Sequence, residues 1–144
     1  MAEIETTLTL IGGPTLLIEL MAFRLLTDPT FDPPGLYQGG VVLEKTAGPA
    51  LGPDAVGDVD AVLLSHDQHF DNLDRAGRAF LHRARATFTT KAGAGRLGGN
   101  SKGLAPFETA RLEAAGAAGL MILPRRRGMG RPASNPSPAT SSAS

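Results

Sequence analysis

Apolar and polar residues alternate from Glu3 to Leu10, which sets Ile4, Thr6, Leu8 and Leu10 on one side of an extended chain. Gly12-Gly13-Pro14 is a turn signal. Thr15 to Leu20 reads as a second strand, Met21-Ala22 as a tight reversal and Phe23 to Thr27 as a third strand. Short links between three short strands predict an antiparallel meander. Asp28 to Gly35 carries prolines at 29, 33 and 34, which cannot donate to a ladder, so a loop is expected there. Gly35 to Gly57 is rich in glycine and proline, an irregular connection of the kind that often forms a lid or substrate loop. Asp58 to Leu64 returns to strand. Leu73 to Arg85 places Leu73, Ala76, Phe80, Leu81 and Ala84 on one side, which predicts a helix. Asn72 is its expected N-cap, and Asp74 suits the positive end of the helix dipole. Ala86 to Thr90 reads as strand, and Thr90 can cap a short helix that Gly98-Gly99 stops after Leu97. Glu108 to Leu112 and Gly119 to Leu123 are further strand candidates.

The pattern changes at the end of the chain. Pro, Ser, Ala, Arg and Gly dominate from Pro124 onwards, and no apolar period survives. Residues 1–122 therefore read as one partial domain and 123–144 as a disordered Pro/Ser/Arg-rich tail. The 42% hydrophobic content of the 144 residues suffices for a core. With no Trp, its large pieces are expected to be Phe23, Phe31, Phe70, Phe80, Phe88 and Phe107.

Charge and composition narrow the function. All 14 acids lie at or before Glu113, whereas Arg125, Arg126, Arg127 and Arg131 lie beyond it. The net charge of zero thus divides into −4 over residues 1–122 (ten bases against 14 acids) and +4 over the tail. Four arginines without interleaved aromatics do not make a nucleic-acid footprint, so a small-molecule substrate is the expected partner. The oligomeric state is not legible. Absence of cysteine removes thiolate ligands, disulfides and a Cys nucleophile together. No run approaches the roughly 20 apolar residues of a membrane helix. The acidic start Met1-Ala-Glu-Ile-Glu lacks the basic and apolar regions of a signal peptide, so a cytoplasmic location is expected.

The candidate chemistry lies in Ala61 to Asp74, A-V-L-L-S-H-D-Q-H-F-D-N-L-D. An apolar strand stops at Ser65 and releases His66, Asp67, Gln68, His69, Asp71, Asn72 and Asp74 into a loop. Two imidazoles and a carboxylate suit zinc or another divalent first-row metal, manganese or iron among them. On that reading His66, His69 and Asp71 are the metal ligands. The bland reading is a strand-to-helix turn whose Asp71, Asn72 and Asp74 only cap the next helix. Asp28 and Asp32, each followed by proline, are likewise turn formers first.

The stretch S-H-D-Q-H-F-D-N-L-D after an apolar strand, with L-L-T-D-P-T-F-D-P-P-G upstream, resembles the metallo-β-lactamase-fold hydrolases, closest to their lactonase-like and phosphodiesterase-like branch. The resemblance spans roughly Ile4 to Leu123. It implies an α/β (α+β) fold, the N-terminal half of a four-layer αββα sandwich. It also implies a metal-activated water that attacks an ester, lactone or phosphodiester, with Asp71 orienting or deprotonating that water. The family pattern is H-x-H-x-D-H. Here Gln68 occupies the second position of a literal match, His69 comes one residue late, and Asn72 stands in the place of the last His. Gln68 and Asn72 are therefore weaker ligand candidates, and the resemblance places Asp28 near the metal or in the layer around it.

The family's later histidines have no counterpart, since no His follows His82. Read one base earlier, the codons after Leu123 can encode T-A-T-P-R-H-G-P-A-G-I-E-P-V-T-G-D-V-I-G-F, which resembles the family's next His-bearing segment. The sequence-based expectation is thus an N-terminal part, truncated or frameshifted, with impaired activity. The competing expectation is a non-catalytic binding or regulatory module that keeps the first half of the fold without metal.

Overall fold

A computed structural model describes residues 3–38, 42–113 and 119–124. Among them the meander forms as its alternation predicts. Strands β1 (Thr6–Gly12), β2 (Thr15–Leu20) and β3 (Phe23–Thr27) pair antiparallel, with Leu8 opposite Ile18 and Ile18 opposite Leu25. A small hairpin, β4 (Gly35–Tyr37) with β5 (Leu43–Lys45), and a single helical turn, α1 (Pro53–Val56), occupy the connection expected to be irregular. Strand β6 (Val59–Leu63) then pairs parallel to β3. Helix α2 (Arg75–Phe80) leads through a 3-10 turn (Leu81–Arg83) into β7 (Ala84–Thr89), parallel to β6. Helix α3 (Lys91–Leu97) leads into β8 (Ser101–Gly103), parallel to β7. The sheet order is β1-β2-β3-β6-β7-β8, antiparallel on one side of β3 and parallel on the other. A separate hairpin joins β9 (Ala110–Leu112) and β10 (Leu120–Ile122). This is a mixed α/β arrangement built on a mostly β sheet.

Strand alternation splits the core in two. Leu17, Leu26 and Val62 face Phe31, Leu73 and Phe80 on the helical side. Leu25, Ala61, Ala86 and Phe88 pack on the other side against Leu112, Leu104, Leu120 and Ile122, most of them from the β9–β10 hairpin and its approach. That hairpin does not reach the meander edge. Ile4, Leu8 and Leu10, which alternation placed together, are indeed together but lie about 60% or more exposed. The residue buried from β1 is Ile11, on the helical side.

Three expectations are corrected. The helix is shorter than Leu73–Arg85, because β7 claims Ala84 and Arg85 for the parallel ladder with β6. Its N-cap is Asp74, whose Oδ1 accepts from Gly77 N at 2.7 Å; Asn72 is used elsewhere. Asp32 caps the same helix from a distance, accepting from Arg75 N and Ala76 N, and its own N–H donates to Asp74 Oδ2. Phe107 is 54% exposed rather than core. Thr90 caps α3 as expected, accepting from Gly93 N at 3.0 Å. The tail call falls almost entirely on residues 125–144, which lie outside the described residues.

Candidate functional site at the strand ends

Three parallel strands end side by side, and each delivers polar residues at its C-terminal end, the position where open α/β sheets bind ligands. β3 delivers Asp28, β6 delivers Ser65 to Asn72, and β7 delivers Thr90 and Lys91. Together they line a cleft of about 1050 Å³, with Leu63, Phe88, Leu104, Ile122 and Leu123 on its apolar side.

Asp28 is the best-held residue there. Its backbone sits at φ 29°, in the left-handed region that short polar side chains tolerate best. Thr15 holds that turn: its hydroxyl donates to the Asp28 carbonyl at 2.7 Å, accepts from Thr30 N at 3.0 Å, and pairs with the Thr30 hydroxyl at 2.6 Å. Asp28 N donates to Leu63 O, which ties the turn to β6. The buried carboxylate then accepts three hydrogen bonds, from Ser65 N (2.7 Å), Ser65 Oγ (2.8 Å) and Asn72 Nδ2 (3.1 Å). Asn72 Nδ2 also approaches Ser65 Oγ at 3.2 Å. A buried carboxylate needs such donors to offset lost hydration.

Asp67 fixes the other side of the loop. It is 4% exposed by side chain, and Arg96 of α3 grips it through two nitrogens at 2.9 and 2.6 Å. The Arg96 guanidinium hydrogen bond holds the Asp67 carboxyl below its ordinary range and raises the Arg96 value in turn. The Asp67 carbonyl accepts a longer bond from Arg78 of α2. The loop is therefore clamped to both helices that follow it.

The remaining candidates are distributed unevenly. His66 is half-buried and lines the cleft; Asp71 lines it and is exposed. His69 is exposed and stands edge-to-face to His66, with ring centroids 5.3 Å apart, but does not line the cleft. Gln68 is exposed and also outside the cleft lining. His66, Asp71, Asn72 and Asp28 are thus brought to one cleft, whereas His69 and Gln68 are not. Ser65 and Lys91 belong to the cleft and were not singled out by sequence. Ser65 carries a signal in hindsight, being the first polar residue after the β6 apolar run. Lys91 carries none.

The donor types suit a divalent metal, but the arrangement does not close around one. Among the described residues no group of three or more His, Asp or Glu is placed to hold a metal ion. The Asp28 carboxylate is already engaged by Ser65 and Asn72. These residues do not form a metal cage by themselves.

No family model and no curated protein matches this sequence. Solved structures do share its fold. An isothiocyanate hydrolase from Delia radicum gut bacteria superposes with a TM-score of 0.56 at 21% identity, over 75% of this chain and 44% of its own. A candidate metal-dependent hydrolase from Veillonella parvula gives 0.61 at 19% identity, over 79% and 46%. Another from Parabacteroides distasonis gives 0.52 at 20% identity, over 74% and 40%. The chain spans less than half the length of each of these structures.

Proposed function

We propose that this chain is the N-terminal portion of a metallo-β-lactamase-fold hydrolase acting on a small ester, lactone or phosphodiester. Its proposed contribution to a divalent-metal site is His66 and Asp71, which line the cleft, with His69 set edge-to-face against His66 outside that lining; the remaining ligands lie outside the described residues. The observation that carries the reading is the convergence of three parallel strand ends, with Asp28, His66 and Asp71 on one cleft. The fold shared with three proteins described as hydrolases supports it. In this reading Asp28 acts as a brace that fixes the Ser65 backbone, so that His66 leaves the strand end in one direction. Asp71, exposed in the cleft, orients or deprotonates a water there in this reading.

Titration with zinc, manganese and iron(II) tests the metal. With part of the ligand set, the chain should take up at most one equivalent, weakly, and His66→Ala or Asp71→Ala should abolish that uptake while the far-ultraviolet dichroism stays unchanged. Binding that survives both substitutions refutes the assignment.

One observation favours a second reading, a binding module without metal. Asp28 is fully engaged by Ser65 and Asn72, as a structural carboxylate would be. That reading requires no metal uptake and no loss of stability with chelator.

A further inference from the structure

The meander edge of the sheet carries a surface that the cleft does not use. β1 is paired with β2 on one side only, so its outer backbone groups meet no strand among the described residues. Its stretch T-T-L-T-L-I, Thr6 to Ile11, holds none of the charges or prolines with which edge strands block pairing. Leu8 pairs with Ile18 and Ile18 with Leu25, which sets all three on one face of the sheet. That face is buried at Leu25, yet Leu8 and Leu10 are 60% and 64% exposed at the edge.

Charge and register select a second copy of this chain as the occupant. The residues of this sequence outside the described ones offer little apolar cover, their large apolar side chains being Met1, Val41 and Met129. From Thr6 to Ile18 the chain is uncharged, so nothing on the edge selects a basic or an acidic partner. Glu3 and Glu5 stand at one end of it. Two antiparallel copies set these acids beside the uncharged Ile11-Gly12-Gly13 stretch of the other copy, whereas parallel copies would set them against each other. The β1–β2 ladder is regular from Thr6 to Leu10 and shifts register only before Gly12. Leu8 is the centre of that regular segment. A two-fold axis at Leu8 therefore pairs the segment with itself: Leu8 with Leu8, Thr7 with Thr9, and Thr6 with Leu10. Ile4 then lies opposite Gly12, around whose Cβ position there is open space.

We infer that β1 is a self-association edge. Two copies pair antiparallel through Thr6–Leu10 about an axis at Leu8, which joins their two six-stranded sheets into one and keeps Leu8 and Leu10 of both copies on a single face. The same surface serves both partners, so the contact closes at two copies. One strand from each copy buries less than the roughly 1,200 Å² of stable interfaces, so association is weak, on the order of 10–100 μM, and dilute protein is monomeric. Neither the cleft nor its metal enters this inference.

Sedimentation equilibrium of the full chain between about 1 μM and about 1 mM brackets that range and should show monomer and dimer only. Leu8→Lys/Leu10→Lys sets like charges opposite each other at the axis and removes the exposed leucines, which should weaken dimerisation by at least about 100-fold. Leu36→Lys, at a 67% exposed position on β4, should leave it unchanged. The chain has no cysteine, so single replacements report the register directly. Leu8→Cys would face its counterpart at about 4.5–5.5 Å between Cα atoms, within disulfide reach, and should crosslink on mild oxidation. Thr6→Cys would lie roughly 13 Å along the strand from its counterpart and should not. The cysteine pair decides the matter if the lysine variant loses its far-ultraviolet dichroism. Monomer throughout the range, growth beyond the dimer, a dimer that survives the lysine pair, loss of dimer in Leu36→Lys, or equal crosslinking at Thr6 and Leu8 overturns the inference.

Discussion

Gly77 is the point where the backbone of α2 meets the backbone of the Asp28–Pro29 turn. A Cβ built at Gly77 would lie 1.9 Å from the Pro29 carbonyl oxygen and 2.7 Å from its carbon. Ordinary contact begins near 3.4 Å, so Gly77→Ala requires a separation of about 1.5 Å between helix and turn. Neither partner is a flexible side chain. The turn is pinned by Thr15 and Leu63, and the helix by the exchange of caps between Asp32 and Asp74. Alanine gains about 1 kcal/mol of helix propensity over glycine, whereas forcing a methyl into a filled contact costs about 1–3 kcal/mol or more. Breaking even one of the buried caps adds about 1 kcal/mol. The clash wins, and Gly77→Ala should destabilise by about 1–3 kcal/mol. Gly95 supplies the control within the same fold. It lies in α3 with nothing within 4 Å of its added Cβ, so Gly95→Ala should stabilise by about 0.5–1 kcal/mol. Urea unfolding followed by circular dichroism gives both values. A Gly77→Ala protein as stable as the parent would show that α2 does not rest on the Pro29 carbonyl.

Asp28→Ala should cost about 1–3 kcal/mol, because it leaves the Ser65 N–H and the Asn72 amide without their buried acceptor; Asp28→Asn, which keeps an acceptor, should cost less, and equal losses would contradict the hydrogen-bond account. Asp67 has a folded-state pKa held below its unfolded value, so its contribution is fully present above the unfolded carboxylate range and disappears as pH falls through the depressed folded value. Thermal melts from pH 6 down to 2 should therefore show a stability loss that Asp67→Asn removes; parallel curves for the two proteins would refute the clamp. Leu8→Lys/Leu10→Lys should raise solubility without lowering stability, measured by light scattering and urea unfolding, because both leucines sit exposed on the edge strand.

Much of the fold was legible because its signals are local. The meander needs only alternation and turn residues, and the Thr90 cap needs only a threonine three residues before Gly93. The position of the cleft was legible too, since an apolar strand that ends in Ser-His-Asp is readable without knowing its neighbours. What stayed hidden depends on distance along the chain. Asn72 looked like a cap because its partner, Asp28, is 44 residues away, and the true cap, Asp74, is shared with Asp32, 42 residues away. β8 has three residues and no period to read. The exposure of Leu8 and Leu10 was invisible for a different reason. Alternation identifies a face, but says nothing about whether another layer covers it.

The seam at β3 also governs the order of assembly. Its antiparallel partner β2 is reached by a two-residue reversal, whereas its parallel partner β6 is 36 residues away at the Leu25–Ala61 pair. Closing that long loop is entropically costly and slow relative to hairpin formation. Arg24 secures the closure once made, donating from its backbone to Asp60 and from its guanidinium to the carbonyls of Asp58 and Val56. The cleft is built across this late junction, with Asp28 on the early side and Ser65, His66 and Asp71 on the late side. Refolding should therefore recover strand signal before it recovers any ligand binding, and amide exchange at Ser65 should report the docking of β6 rather than the formation of the meander.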